Sequence, residues 1–212
     1  HGRLIVQAAL TLPIHLASMI GVMHCILEKF DGDIHEGDIF VANDPHTAGG
    51  THLPDINYIM PVFIDGENVA FICNIAHHAD VGGMFSGSMA GGMSEIYQEG
   101  LRLPVVKLFR RGELQTDIMD IMLLNVRVPK ERRCDHNAQI ASAKLGARRF
   151  REVVAVHGLA NVLASFDEII TRTAQRMRKT FAEIPDGTYH FEDFMDGDGL
   201  GTWDIPIRLA LT

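Results

Sequence analysis

Cysteine is scarce, and the three present, Cys25, Cys73 and Cys134, form no pairing pattern and no C-x-x-C. An odd, unpatterned set argues against a disulfide scaffold and fits a reducing compartment, so a cytoplasmic location is expected. Basic charge is also short: 19 Lys and Arg stand against 27 Asp and Glu, for a formal net charge of -8. That balance disfavours a nucleic-acid surface, which needs clustered cations. Basic runs such as "PKERR" (Pro129 to Arg133) fall on expected helices or their edges and suit a solvated face. Long hydrophobic runs are missing too. Each is broken by His, Pro or charge before the roughly 18 residues that suggest a membrane span, and no signal-peptide pattern is present. There is no G-x-x-x-x-G-K-[ST] phosphate loop, and Ser86 and Ser88 lack the G-x-S-x-G elbow of a serine nucleophile. The chain opens "HGRLIVQA" without Met and already apolar, which leads us to expect a fragment of a longer protein.

The rest of the composition is that of an ordinary globular chain. Of 212 residues, 47% are hydrophobic and 22% charged, enough to bury a core in one large domain or two small ones. Leu4 to Ala8 predicts a short buried strand. "LPIHLASMIGVMHCILEKF" predicts a helix, with Pro13 near its start and an apolar stripe through Ile14, Met19, Val22, Met23, Ile26 and Leu27. A lone His on such a helix, His15 or His24, is expected to be packed or solvated rather than a ligand. "DIFVA" (Asp38 to Ala42) predicts a strand. "INYIMPVFI" and "NVAFICNIA" flank Asp65-Gly66-Glu67, an Asp-Gly hairpin signal. "VGGMFSGSMAGGMSE" is a glycine-rich stretch expected to move or to cover a ligand. A further strand, "LRLPVVKLF", precedes a short helix with Thr116 as its N-cap. Helical periodicity then runs from His136 to about Gly158 and again through Phe166, Ile170, Ala174 and Phe181. The fold class expected is α+β: a mixed or antiparallel sheet with β-hairpins, then a helical hairpin, then a terminal strand pair. The divisions are 1–135 for a β-rich core, 136–183 for the helical hairpin and 184–212 for the start of a following β-region.

Donor-rich chemistry is concentrated in two runs, "NDPHTAGGTHLPDI" (Asn43 to Ile56) and "NIAHHADVGG" (Asn74 to Gly83). His52 and Asp55 are three apart, and Pro54 between them restrains the backbone so that both donors can be held. Imidazole and carboxylate suit Zn, Mn or Fe(II). Two donors bind weakly, so a third must come from elsewhere. The hairpin carries the chain from Asp55 out along one strand and back to His77 on the next, which nominates His77. His78 and Asp80 are the runners-up for that third donor. Two imidazoles and one carboxylate would leave coordination positions open for catalysis. Hydrogen bonding within a tight loop is the alternative for the same residues. Asp44 either orients His52 or forms an Asx turn before Pro45. Glu99, four residues after Glu95 and sharing a helical face with it if "EIYQEG" is helical, is a candidate general base. His78 is nominated with Glu99 for proton transfer, and Asp80 with Asp44 for support of the ligands.

"NDPHTAGGTHLPDI", "HHADVGGMFSGSM", "EIYQEGLRLPVVKL" and "DHNAQIAS", in that order, resemble successive motifs of the hydantoinase B/oxoprolinase family. The resemblance runs from "GRLIVQAALTLPIHLASM" to "IPDGTYHFEDFMDGDG". Two departures stand out: Ser86 where a Pro is common, and Cys134 and His136 in a segment that usually begins Gly-Asp-Leu. The family includes B-type subunits of ATP-dependent hydantoinases, part of 5-oxoprolinase, caprolactamase and subunits of ketone carboxylases. The resemblance implies a divalent ion on His52, Asp55 and His77, with ATP and Mg bound by an A-type partner in a hetero-oligomer. It implies a cyclic amide substrate such as a hydantoin, 5-oxoproline or a lactam. ATP-dependent ketone carboxylation and a non-catalytic assembly role are the alternatives.

Overall fold

Helix α1 (Pro13–Lys29) begins where Pro13 presets the first helical backbone angle, and Phe30 closes it by donating its N–H to the Ile26 carbonyl. Strands β1 (Ile39–Ala42), β2 (Asp55–Ile64), β3 (Glu67–His77), β4 (Val106–Arg110) and β5 (Glu113–Leu114) follow. They form one antiparallel sheet in the order β3-β2-β1-β4-β5. The computed structural model describes residues 2–212.

Strand alternation gives the sheet two working faces. Val41, Ile56, Tyr58, Met60 and Val62 point to one side. There they meet α2 (Thr116–Leu124) through Met119 and Met122, and α3 (Pro129–His157) through Ile140, Ala143 and Ala147. Phe40, Ala42 and Ile59 point to the other side and pack on Val22, Met23 and Ile26 of α1. The sheet is therefore the middle of three layers. β2 is buried on both faces over most of its length, which is why it carries a near-continuous apolar run.

The β2–β3 hairpin turns at Asp65 and Gly66, with φ 51° and 85°. Two positive angles in a two-residue loop are the type I′ geometry whose twist matches the strands it joins. The turn and a bulge between Val62 and Phe63, which leaves Val69 without a partner, together fix the register, and that register sets Asp55 opposite His77.

Elsewhere the structure differs from expectation. Leu4 to Ala8 is irregular and mostly exposed, with Val6 at 73%, and it pairs with no strand among the described residues. α3 begins at Pro129, so the expected boundary at 135/136 falls within it. At Gly158 the chain bends by 108° into α4 (Leu159–Phe181). Val162 is the buried residue of α4, and Met177 and Phe181 are exposed. The terminal pair β6 (Tyr189–Gly197) and β7 (Trp203–Leu211) forms a separate two-stranded sheet. Among the described residues no single helix is long and apolar enough to cross a membrane.

Candidate functional site

Alternation at the end of β3 separates the two neighbouring imidazoles. Asp55 and His77 are register partners and share the α1 face, and His78 is sent to the α3 face. Around Asp55 the first face gathers donors. Its Oδ2 lies 3.1 Å from His52 Nε2 and 3.2 Å from His15 Nε2, and it accepts a hydrogen bond from Thr51 Oγ1. Its Oδ1 is buried and has no partner. The His77 ring stands 5.1 Å from the His52 ring, centroid to centroid, and its Nε2 is 3.3 Å from Met89 Sδ.

The fit of this cluster to a divalent cation rests on its donors. A buried carboxylate oxygen without a partner is an exception that an ion or a water would explain. Metal bonds to nitrogen and oxygen of about 2.0–2.2 Å place neighbouring donors on the order of 3 Å apart. The Asp55 contacts to His15 and His52 have that spacing. Among the described residues, no three His, Cys, Asp or Glu side chains already form a metal-holding group. The departure lies at His77, whose Nε2 faces the Met89 thioether rather than Asp55. An imidazole reorients by side-chain rotation while the paired backbones of Asp55 and His77 stay fixed, so the donor spacing around Asp55 carries the fit.

His15, expected to be packed or solvated, is packed against this cluster through Asp55. Its helix reaches the loop because two glycines meet without side chains. A Cβ on Gly21 would lie 2.9 Å from Gly49 Cα, and one on Gly49 only 2.6 Å from Gly21 Cα. Cys25 Sγ adds a contact to the Thr47 carbonyl. Asn43 anchors the other side of the same loop: its Nδ2 donates to the Leu53 and Leu101 carbonyls, and its Oδ1 accepts from Leu103 N–H.

The remaining nominated residues lie elsewhere. His78, expected to move protons beside the ion, is buried on the far face, with Nε2 2.8 Å from Gln139 Oε1 and its ring 4.5 Å from that of His136. Burial lowers its pKa, and the Gln139 contact opposes that shift. Asp44 forms the Asx turn: Oδ1 accepts from the N–H groups of His46 and Thr47, and Oδ2 accepts from Arg102 Nε. Burial would raise the Asp44 pKa, but Arg102 and the two amides outweigh it and bring it to about 2. Asp80 binds Arg127 and the Gly82 and Gly87 amides. Its pKa is lowered because these contacts overcome burial. Arg127 also donates to the Gly82, Gly83 and Phe85 carbonyls, so the glycine-rich loop, expected to move or to cover a ligand, is tied down at its first half. Glu95 and Glu99 share no α-helical face, because only a single 3₁₀ turn, Ile96–Gln98, separates them; Glu99 is its last cap, against Gly83.

Gln139 was not singled out by sequence. From α3 its Nε2 donates to the Ile56 carbonyl and Asn74 Oδ1, while its Oε1 meets His78. It thereby joins the ends of the two strands that carry Asp55 and His77. Its place in the "DHNAQ" motif was the available signal, but no local spacing predicts contacts 61 to 83 residues away.

Comparison with known proteins agrees with this architecture. The sequence profile of the hydantoinase B/oxoprolinase family matches residues 1–212. The beta chain of caprolactamase from Pseudomonas jessenii is 33% identical over 196 residues, 92% of this chain and 34% of that one. The crystal structure of the ATP-dependent caprolactamase from that organism superimposes with a TM-score of 0.85, covering 94% of this chain and 35% of its own. The B-type subunit of a putative D-/L-hydantoinase from Pseudomonas sp. (strain NS671) is 34% identical over 81% of this chain and 29% of its own. Nucleotide-free acetone carboxylase shares the fold, with a TM-score of 0.77 at 23% identity, over 93% of this chain and 27% of its own. The chain thus spans about a third of the length of these relatives.

Proposed function

The chain belongs to the hydantoinase B/oxoprolinase family, and on that premise we propose that it is the metal-bearing part of a B-type subunit that opens a cyclic amide with an ATP-binding A-type partner. The observation that supports this most is the Asp55 carboxylate, with one oxygen shared between imidazoles and the other buried and unpartnered. His52, Asp55 and His77 would hold a divalent cation, Zn, Mn or Fe(II) by donor type. When bound, such an ion lowers the pKa of coordinated water from 15.7 toward roughly 7 and so supplies a nucleophile at neutral pH.

The chain's own residues set the geometry for that chemistry. The type I′ hairpin holds Asp55 and His77 side by side, and Pro54 limits the freedom of the segment joining His52 to Asp55. Ring opening forms a bond from water oxygen to the amide carbon, breaks the carbon–nitrogen bond and returns a proton to nitrogen. Resonance makes that amide inert, so the γ-phosphoryl group of ATP is transferred to the carbonyl oxygen with release of ADP, and it leaves as inorganic phosphate as the carboxylate forms; the transfer belongs to the A-type partner in this proposal.

The test uses the full-length subunit with its partner. His52→Ala is expected to lose bound metal and ATP-dependent hydrolysis of hydantoins or lactams while remaining folded by circular dichroism. A wild-type complex that keeps full activity after exhaustive chelation would refute the proposal. Incorporation of labelled bicarbonate into product would move the activity to carboxylation.

A further inference from the structure

We propose that His15 is a fourth protein ligand of the cation, so that the site has three imidazoles and one carboxylate. This rests on the reading that His52 and Asp55 hold a divalent ion, and it adds a ligand from a different layer of the fold. His15 lies 40 positions from Asp55 in sequence, yet its Nε2 reaches the same oxygen as His52 Nε2, at 3.2 Å against 3.1 Å. The two imidazole nitrogens stand at nearly the same distance from one carboxylate oxygen, so a cation held by that oxygen has both as neighbours in this proposal.

The approach is built into the backbone. Gly21 and Gly49 touch through their main chains, which leaves no room for a side chain at either position and seats α1 on the loop that carries His52. His15 is about one and two-thirds turns before Gly21 on that helix, in its first turn, with its side chain 15% exposed. A solvated surface histidine would need neither the burial nor the glycine contact.

A fourth protein donor also narrows the class of ion. A catalytic tetrahedral zinc keeps three protein ligands and one open position, so four would close it. Six-coordinate cations such as Mn(II) or Fe(II) accept four protein donors and still leave two positions free.

The test titrates the metal-free full-length subunit, with its partner, with Co(II), measuring affinity by equilibrium dialysis and geometry by visible absorption. His15→Ala, and His15→Gln as the variant that preserves bulk, are expected to weaken Co(II) binding at least tenfold and to shift the absorption bands. The metal-free melting temperature should stay close to that of wild type. Unchanged bands in either folded variant would overturn the assignment even if affinity fell, because a residue that only hydrogen-bonds Asp55 leaves the nitrogen count intact. If wild type and His52→Ala bind Co(II) equally, the proposed metal site fails rather than this extension of it.

Discussion

His77 and His78 are adjacent in sequence and occupy opposite environments. On the α1 face, His77 is exposed beside a cluster where Asp55 has one crowded oxygen and one without a partner. On the α3 face, His78 is 1% exposed and belongs to a network with Gln139, Asn74, His136 and Tyr58. The first arrangement leaves a buried carboxylate oxygen, Asp55 Oδ1, without a partner. The second has most of its polar atoms paired, although His78 Nδ1 is an exception. The α1 face gathers imidazoles around one carboxylate at an exposed strand end, whereas the α3 face ties α3 to the sheet through Gln139.

That contrast can be broken most directly at Asp55. Asp55→Asn is expected to reduce metal affinity by at least 100-fold while leaving the metal-free melting temperature close to that of wild type, because the amide keeps an oxygen for Thr51, His15 and His52. A large fall in the metal-free melting temperature would show that the carboxylate is structural instead. Gln139→Ala should do the reverse. Truncation strands the Ile56 carbonyl, His78 Nε2 and Asn74 Oδ1, and about 2–3 kcal/mol of stability should be lost in urea denaturation. Metal affinity should change much less than in Asp55→Asn; equal losses in both assays would erase the distinction between the faces.

A smaller effect sharpens the same contrast through pH. Burial, reinforced by His78 and the nearby Arg132 and Arg133, brings the His136 pKa down from 6.5 to about 3. The unfolded chain takes up a proton near 6.5 that the folded chain resists. Stability from this group is therefore complete above pH 6.5 and declines as pH falls toward 3. The slope should approach about 1.4 kcal/mol per pH unit between 6 and 5. Comparing wild type with His136→Gln over that interval isolates the term, and identical slopes would show that His136 is protonated when folded.

Much of this organisation was legible in the sequence where the signal is local. Asp65-Gly66 between apolar runs predicted the hairpin, and the hairpin predicted that Asp55 and His77 would adjoin. The α+β class and the terminal strand pair followed from periodicity and glycine punctuation. What escaped were contacts with no local signature. His15 resembled any helical histidine because its partner arrives through the Gly21–Gly49 approach, and neither glycine differs in sequence from one that is merely tolerated. His78 was misplaced because proximity along the chain was followed instead of the twofold alternation of the strand. Leu4 to Ala8 has the apolar content of a strand but no strand edge to pair with among the described residues.

The Asp65–Gly66 turn has a consequence far from where it sits. It acts as the indexing mark for everything downstream on the return strand, and the count from it to the two imidazoles has a parity. With the bulge at Val62 and Phe63 kept, adding or removing a single residue along Ala70–His77 inverts that parity: the exposed imidazole would be threaded into the interior and its buried neighbour swung outward. A change of two preserves the assignment. The chemistry at one end of the ribbon is thus specified by whether a distance along the chain is odd or even, as much as by which residues occupy it.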